Sequence, residues 1–215
     1  MREEVIRSIL EHKIIAIMRG ASVEEALSCA RAAFDGGIRL MEVTFNQRSP
    51  ETFADTAEAI RRIKELFPEM HVGAGTVLTV QQAELARSAG AEYIISPDVD
   101  REVIEYTRGA GLVSLPGAYT PSEVKRAYVY GADFVKIFPC TDVSYLKAIK
   151  APLSHIRMLA VGGVTPENAP DFIRAGAVGI GIGGALFSKA DIEGGRYDRI
   201  EEKARTLVRR IAEAI

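Results

Sequence analysis

A chain of 215 residues that is 47% hydrophobic and 26% charged has the makings of one compact globular domain spanning 1–215. Its formal net charge of −2 argues against nucleic acid or an anionic membrane surface as a partner. No apolar run approaches the roughly 20 residues that cross a bilayer, and Cys29 and Cys140 have neither metal-like spacing nor a disulfide framework, so a cytoplasmic protein is the expectation.

The opening segment reads as a helix over about residues 2–12, with Val5, Ile6, Ile9 and Leu10 on one face, and not as a signal peptide. Ile14-Ile15-Ala16-Ile17-Met18-Arg19-Gly20 then has the pattern of a strand buried on both faces, as in a parallel sheet covered by helices. Ser22 and Glu25 form a capping box for the next helix, which runs to Asp35 and stops at Gly36-Gly37.

The cycle repeats along the chain. The strand around Leu40–Thr44 precedes a helix over Pro50–Leu66, and His71-Val72-Gly73-Ala74 precedes a helix over Val80–Ser88. Tyr93-Ile94-Ile95 and Leu112–Leu115 precede helices over Arg101–Arg108 and Pro121–Tyr130. Phe134–Phe138 precedes Val143–Lys150, and Ile156–Val161 precedes Pro166–Ala175. Val178–Gly181 leads into a short turn and a long helix over Tyr197–Ala214. Gly37-Ile38, Gly90-Ala91, Gly131-Ala132 and Gly176-Ala177 recur about 40 to 53 residues apart, launching every second strand. Eight strand–helix pairs predict a (β/α)8 TIM barrel with an extra N-terminal helix. A doubly wound open sheet is the alternative, and it lacks its opening G-x-G-x-x-G fingerprint here.

In such a barrel the chemistry sits at the carboxyl ends of the strands. Strand one ends in Arg19, strand two carries Glu42 and Thr44, strand three runs into Gly75-Thr76, and strand four ends Ser96-Pro97-Asp98. Strand six carries Lys136 and Phe138, with Phe134, Lys136 and Phe138 on one face. A buried lysine is either a stem whose head reaches water or a carboxylate, or an amine of lowered pKa poised to attack a carbonyl. Glu42 likewise is either its counter-charge or a proton shuttle for imine chemistry. Gly162-Gly163 and Gly183-Gly184 follow strands seven and eight, where glycine N–H groups and a short helix starting near Gly184 would receive a phosphate. His12, His71 and His155 are scattered, so no metal site and no cofactor is expected, with carboxylate-bound magnesium the one alternative left open.

These residues resemble the 2-keto-3-deoxy-6-phosphogluconate aldolase family, which includes phosphogalactonate and 4-hydroxy-2-oxoglutarate aldolases. The carriers are Ile15–Arg19, Met41–Thr44, Val72–Val77, Ile95–Pro97, Leu115–Gly117, Val135–Pro139 and Val161–Val164. The resemblance implies a class I aldolase that cleaves a 2-keto-3-deoxy sugar acid, 6-phosphorylated, to pyruvate and an aldehyde. It implies Lys136 as the Schiff-base nucleophile and Glu42 as the general acid/base. Arg19, Thr76, Pro97 and Phe138 would line the pyruvate end, and Gly162, Gly163, Gly183 and Gly184 the phosphate end. A cytoplasmic homotrimer acting on small molecules, without cofactor, nucleic acid or membrane, is implied too. A sugar-phosphate epimerase or isomerase on the same barrel, or a non-catalytic sugar-phosphate-binding protein, is the alternative.

The chain departs from the family pattern at the far end of the substrate. Asn46 replaces an arginine, Val161 stands where threonine is frequent, and Gly184 takes the place of a serine. The loop after Pro139 is about two residues short of the family's, and Asp142 in it would repel a phosphate if it pointed inward. Which sugar acid, which C4 configuration and whether it is phosphorylated therefore stay open at this level.

Overall fold

The computed structural model describes residues 2–215. Parallel strands β1 (Ile14–Met18), β2 (Leu40–Thr44), β3 (His71–Gly75), β4 (Tyr93–Ile95), β5 (Val113–Leu115), β6 (Gly117–Ala118), β7 (Val135–Ile137), β8 (Met158–Val161) and β9 (Gly179–Ile182) form one sheet. Its order is β5-β4-β3-β2-β1-β9-β8-β7-β6. The two ends of that order, β5 and β6, are consecutive pieces of one stave divided at Pro116. Proline has no N–H to offer a ladder, yet its carbonyl still accepts from Lys136 N at 2.9 Å. The ring therefore closes through the chain itself, and the expected eight staves make a barrel and not an open sheet.

Helices α1 (Arg2–His12), α2 (Val23–Asp35), α3 (Phe53–Leu66), α4 (Val80–Ser88), α5 (Arg101–Gly109), α6 (Pro121–Val129), α7 (Val143–Lys150), α8 (Ala169–Arg174), α9 (Lys189–Glu193) and α10 (Tyr197–Ala212) complete the chain. The capping box expected at Ser22 and Glu25 is present, and Thr120 with Glu123 forms a second one at α6.

Strand alternation sorts the buried side chains into two cores. Met41, Val43, Val135 and Ile137 face outward into the layer between sheet and helices. Ile15, Leu40, Tyr93, Ile95, Val113, Leu115, Phe134 and Leu159 face inward and meet Val5, Ile6 and Ile9 of α1. The N-terminal helix thus plugs the barrel at the amino end of its strands. Arg2 fastens that plug by pairing with the buried carboxylate of Asp133, which also accepts from Ser114 N at 3.0 Å. With one end stoppered, the other is left open for ligands.

One expected element is replaced. No helix begins at Gly184: Leu186 N and Phe187 N both donate to Gly183 O at 2.9 Å, closing a single turn, and α9 starts only at Lys189.

Candidate active site

Lys136 and Glu42 belong to the inner face for the reason the sequence gives. Their neighbours two residues back, Phe134 and Leu40, lie in the inner core, so period-two alternation carries the charged side chains inward as well. Lys136 is 6% exposed and Glu42 1% exposed. The two do not close an ion pair. Glu42 Oε1 and Oε2 accept no hydrogen bond from any described residue, and Lys136 Nζ sits 4.6 Å from the centroid of the Phe138 ring.

Burial decides the charge preference of both groups. Desolvation raises the pKa of Glu42 above the ordinary carboxyl range, with Lys136 and Arg19 pulling it back in part. Desolvation lowers the pKa of Lys136 below that of an ordinary lysine; Glu42 opposes the shift and Arg19 reinforces it. A neutral amine at the end of a barrel strand is a nucleophile for a carbonyl carbon. A carboxyl that readily holds a proton beside it can pass that proton on.

Above Lys136 opens a 320 Å³ cavity whose lining includes Arg19, Lys136, Phe138, Gly162, Gly163, Gly183 and Gly184. Seven of the ten residues singled out from sequence therefore share one space. Glu42 is sunk in the barrel wall, and Thr76 and Pro97, in the loops just beyond β3 and β4, do not line that cavity. Ile17, Val161, Val164, Thr165, Gly181 and Ala185 also line it; apart from Val161 they gave no chemical signal in the sequence, because their part is shape. A larger cleft of 500 Å³ lies outside the barrel among α2, α3 and α10. It contains no strand-end residue, so size alone does not make it the site.

The glycine end of the cavity is shaped by backbone and not by side chains. Gly162 and Gly163 have successive φ values of 91° and 88°, a left-handed backbone that glycine adopts without steric cost. A Cβ on Gly163 would lie 2.9 Å from Thr141 Cγ2, so the loop also needs their small size. The N–H groups of Gly162, Gly163, Gly184 and Ala185 donate to no backbone carbonyl among the described residues. Asp142 does not oppose this cradle: its carboxylate caps α7, accepting from Ser144 N at 2.7 Å. Nothing lies within 4 Å of a Cβ added at Gly184, so the backbone itself does not exclude a serine there.

Thr76 is held in an uncommon conformation, φ 55°, that a β-branched residue rarely adopts. Gln47 Nε2 donates to Thr76 O at 2.6 Å, and Gln82 Nε2 donates to Gln47 Oε1 at 2.9 Å. This amide chain fixes the β3–α4 loop, and it was invisible in the sequence because its members lie far apart along the chain.

Histidines are absent from this end of the barrel. His71 opens β3 at the amino end, where it contacts Glu92, and His12 and His155 precede β1 and β8. Among the described residues no group of three or more His, Cys, Asp or Glu side chains could hold a metal ion.

Comparison with known proteins agrees with this geometry. The family model described as KDPG and KHG aldolase matches residues 5–203. The chain is 35% identical over 206 residues to the 2-dehydro-3-deoxy-6-phosphogalactonate aldolase of Escherichia coli K12, covering 94% of this chain and 96% of that one. A solved structure described as native KDPGal superposes with a TM-score of 0.83 at 34% identity, covering 94% of this chain and 95% of the other. The KDPG aldolase of Legionella pneumophila, captured with pyruvate as a covalent carbinolamine, superposes with a TM-score of 0.84 at 25% identity, covering 94% and 97%.

Proposed function

The chain belongs to the KDPG and KHG aldolase family, and from that premise we propose that it is a class I aldolase cleaving a 2-keto-3-deoxy-6-phospho sugar acid to pyruvate and an aldehyde. The observation that carries the reading is a buried, unpaired lysine at a strand end, its pKa lowered, sharing the inner face with a buried carboxyl whose pKa is raised.

The neutral Lys136 amine adds to the C2 carbonyl, and loss of water from the carbinolamine leaves a protonated imine. With a base taking the C4 hydroxyl proton, the C3–C4 bond breaks and its electron pair flows into the imine as an enamine. The aldehyde leaves, C3 regains a proton, and hydrolysis frees pyruvate and the lysine. Glu42 relays protons in these steps, through water where it does not reach the reacting atom. Arg19, Thr76, Pro97 and Phe138 frame the pyruvate portion, with Thr76 donating to its carboxylate. The N–H groups around Gly162, Gly163, Gly183 and Gly184 receive the phosphate.

A single barrel domain over 1–215, a homotrimer and a cytoplasmic location belong to the same proposal. Their support is the family resemblance; separately, no described helix is long and apolar enough to cross a membrane.

Incubation with pyruvate and borohydride should leave a stable mass label on Lys136 and none on a Lys136→Ala variant. An unlabelled wild-type lysine, under conditions that label another class I aldolase, would sink the mechanism and favour an epimerase or isomerase, which needs no covalent adduct. A side-by-side rate comparison of phosphogluconate-type, phosphogalactonate-type and non-phosphorylated substrates assigns the sugar acid. Faster cleavage of the non-phosphorylated compounds would overturn the phosphate assignment alone.

A further inference from the structure

Glu42, Gly73 and Tyr93 stand in one row across the barrel wall. Glu42 pairs with Gly73 between β2 and β3, and Gly73 pairs with Tyr93 between β3 and β4. Neighbouring strands are about 4.8 Å apart, so the Glu42 and Tyr93 backbones are separated by roughly 10 Å, a gap a tyrosine ring can span. Gly73 puts no side chain in that gap. A Cβ there would lie 2.2 Å from Tyr93 Cδ2, which shows that the ring lies over Gly73. Two residues on, a Cβ at Gly75 would lie 2.2 Å from Glu42 Oε1. The two inward-facing glycines of β3 are thus the floor on which the ring and the carboxyl rest.

Both side chains are closed off from solvent, Tyr93 at 0% and Glu42 at 1% exposure. Neither the Tyr93 hydroxyl nor either Glu42 oxygen closes a hydrogen bond of normal geometry among the described residues, although the backbone of Met41, next to Glu42 on β2, lies near enough to the hydroxyl oxygen to act on it; the one other such buried atom is Arg2 Nε at the plugged end. Burying a hydroxyl whose own hydrogen has no acceptor is unfavourable, and phenylalanine would fill the same ring space without that cost. The hydroxyl therefore calls for a use, and the other orphaned polar atoms inside the barrel belong to Glu42.

We propose that Tyr93 is a positioning residue for Glu42, its hydroxyl donating a hydrogen bond to the carboxylate, directly or through one water, whenever Glu42 has given up its proton. The inference rests on Glu42 being the proton relay described above. No bond to Tyr93 is made or broken, and the proton stays on the phenol; burial holds the phenol pKa well above its ordinary value, so it remains a donor throughout. Lys136 from β7 and Arg19 beyond β1 are the charged groups acting on Glu42, and Glu92, beside Tyr93 at the far end of the strand, is the other charge acting on the phenol. Neither Lys136 nor Arg19 hydrogen-bonds the Glu42 carboxylate, which leaves the donor's place open to Tyr93.

The test is Tyr93→Phe in the full chain, after borohydride trapping has shown the Lys136 adduct in the wild-type protein. That order separates failure of the aldolase reading from failure of this one. The expected result is a kcat about 5- to 10-fold lower, KM within about twofold, and the limb of the kcat profile that reports Glu42 moved up by about one pH unit. The sign follows because losing a donor to the carboxylate makes deprotonation harder. Trapping of Lys136 should be unchanged. A folded Tyr93→Phe protein with wild-type kcat and an unmoved limb overturns the proposal. A 3-fluorotyrosine placed at position 93 alone, a stronger donor of nearly the same shape, should move the limb the opposite way. If the Phe variant does not fold, that arm decides, and an unmoved limb again overturns the proposal.

Discussion

Glu42 and Lys136 are both pushed toward their uncharged forms by the same dry surroundings, and this has consequences for catalysis and stability together. Glu42→Gln keeps the shape and removes the proton relay, so turnover should fall about 10²- to 10⁴-fold. Part of the pyruvate–borohydride labelling of Lys136 should survive, and near-normal turnover would remove Glu42 from its role. A carboxyl with a higher pKa in the folded than in the unfolded chain keeps its proton longer when folded. Stability therefore falls as pH rises from the ordinary carboxyl range through Glu42's own titration, and levels off above it. Lys136 runs the other way: its lowered pKa costs most at low pH, and the penalty fades toward the ordinary lysine range. In paired thermal melts, any advantage of wild type over Glu42→Gln should shrink as pH is raised above about 4.5; a constant offset across that range would contradict the assignment. The inward aim of Lys136 was legible because alternation is local. Tyr93 was not, because it reads as an ordinary core aromatic until the register places Gly73 beside it.

At the level of elements, β3 matters most for what it lacks. His71-Val72-Gly73-Ala74-Gly75 sends Val72 and Ala74 outward and leaves two gaps inward. A Cβ at Gly75 would meet Glu42 Oε1 at 2.2 Å and Thr44 Cγ2 at 2.9 Å. Gly75→Ala should therefore displace the carboxyl and lower kcat about 10²-fold, since a shift near 1 Å costs about that much. It should destabilise the fold by about 1–3 kcal/mol, as overpacking does. Gly184→Ala, with nothing within 4 Å, is the control and should melt like wild type. Circular dichroism and kcat on both variants check the pair, and a fully active Gly75→Ala would show that Glu42 need not sit where it does. The strand–helix alternation was legible because strands and helices impose different side-chain periods. The helix expected at Gly184 was not formed because Leu186 and Phe187 turn into the core, and Ser188, accepting from Asp191 N at 3.2 Å, caps a new helix further on.

Over the whole molecule the barrel is polar in function as well as in direction. Closure could not be read from the sequence, since Pro116 interrupts the fifth stave and only the ladder bonds on its two sides show that β5 and β6 belong to the same ring. Once closed, the barrel keeps its histidines at the plugged end and Gly162, Gly163, Gly183, Gly184, Lys136 and Glu42 toward the open one. Stabilising the carbanion formed by carbon–carbon cleavage requires either a metal ion or an organic electron sink. Among the described residues no group of three or more His, Cys, Asp or Glu side chains could hold a metal ion, and Lys136 in the role proposed for it would supply the imine. Exhaustive chelation should accordingly leave the cleavage rate within about twofold of its starting value, while pyruvate with borohydride abolishes it. A rate lost to chelator and restored by magnesium or zinc would place the electron sink on a metal and demote Lys136 to binding. A rate lost to borohydride only when pyruvate is present places the sink on the lysine, because the reductant then acts on an imine that substrate had to form.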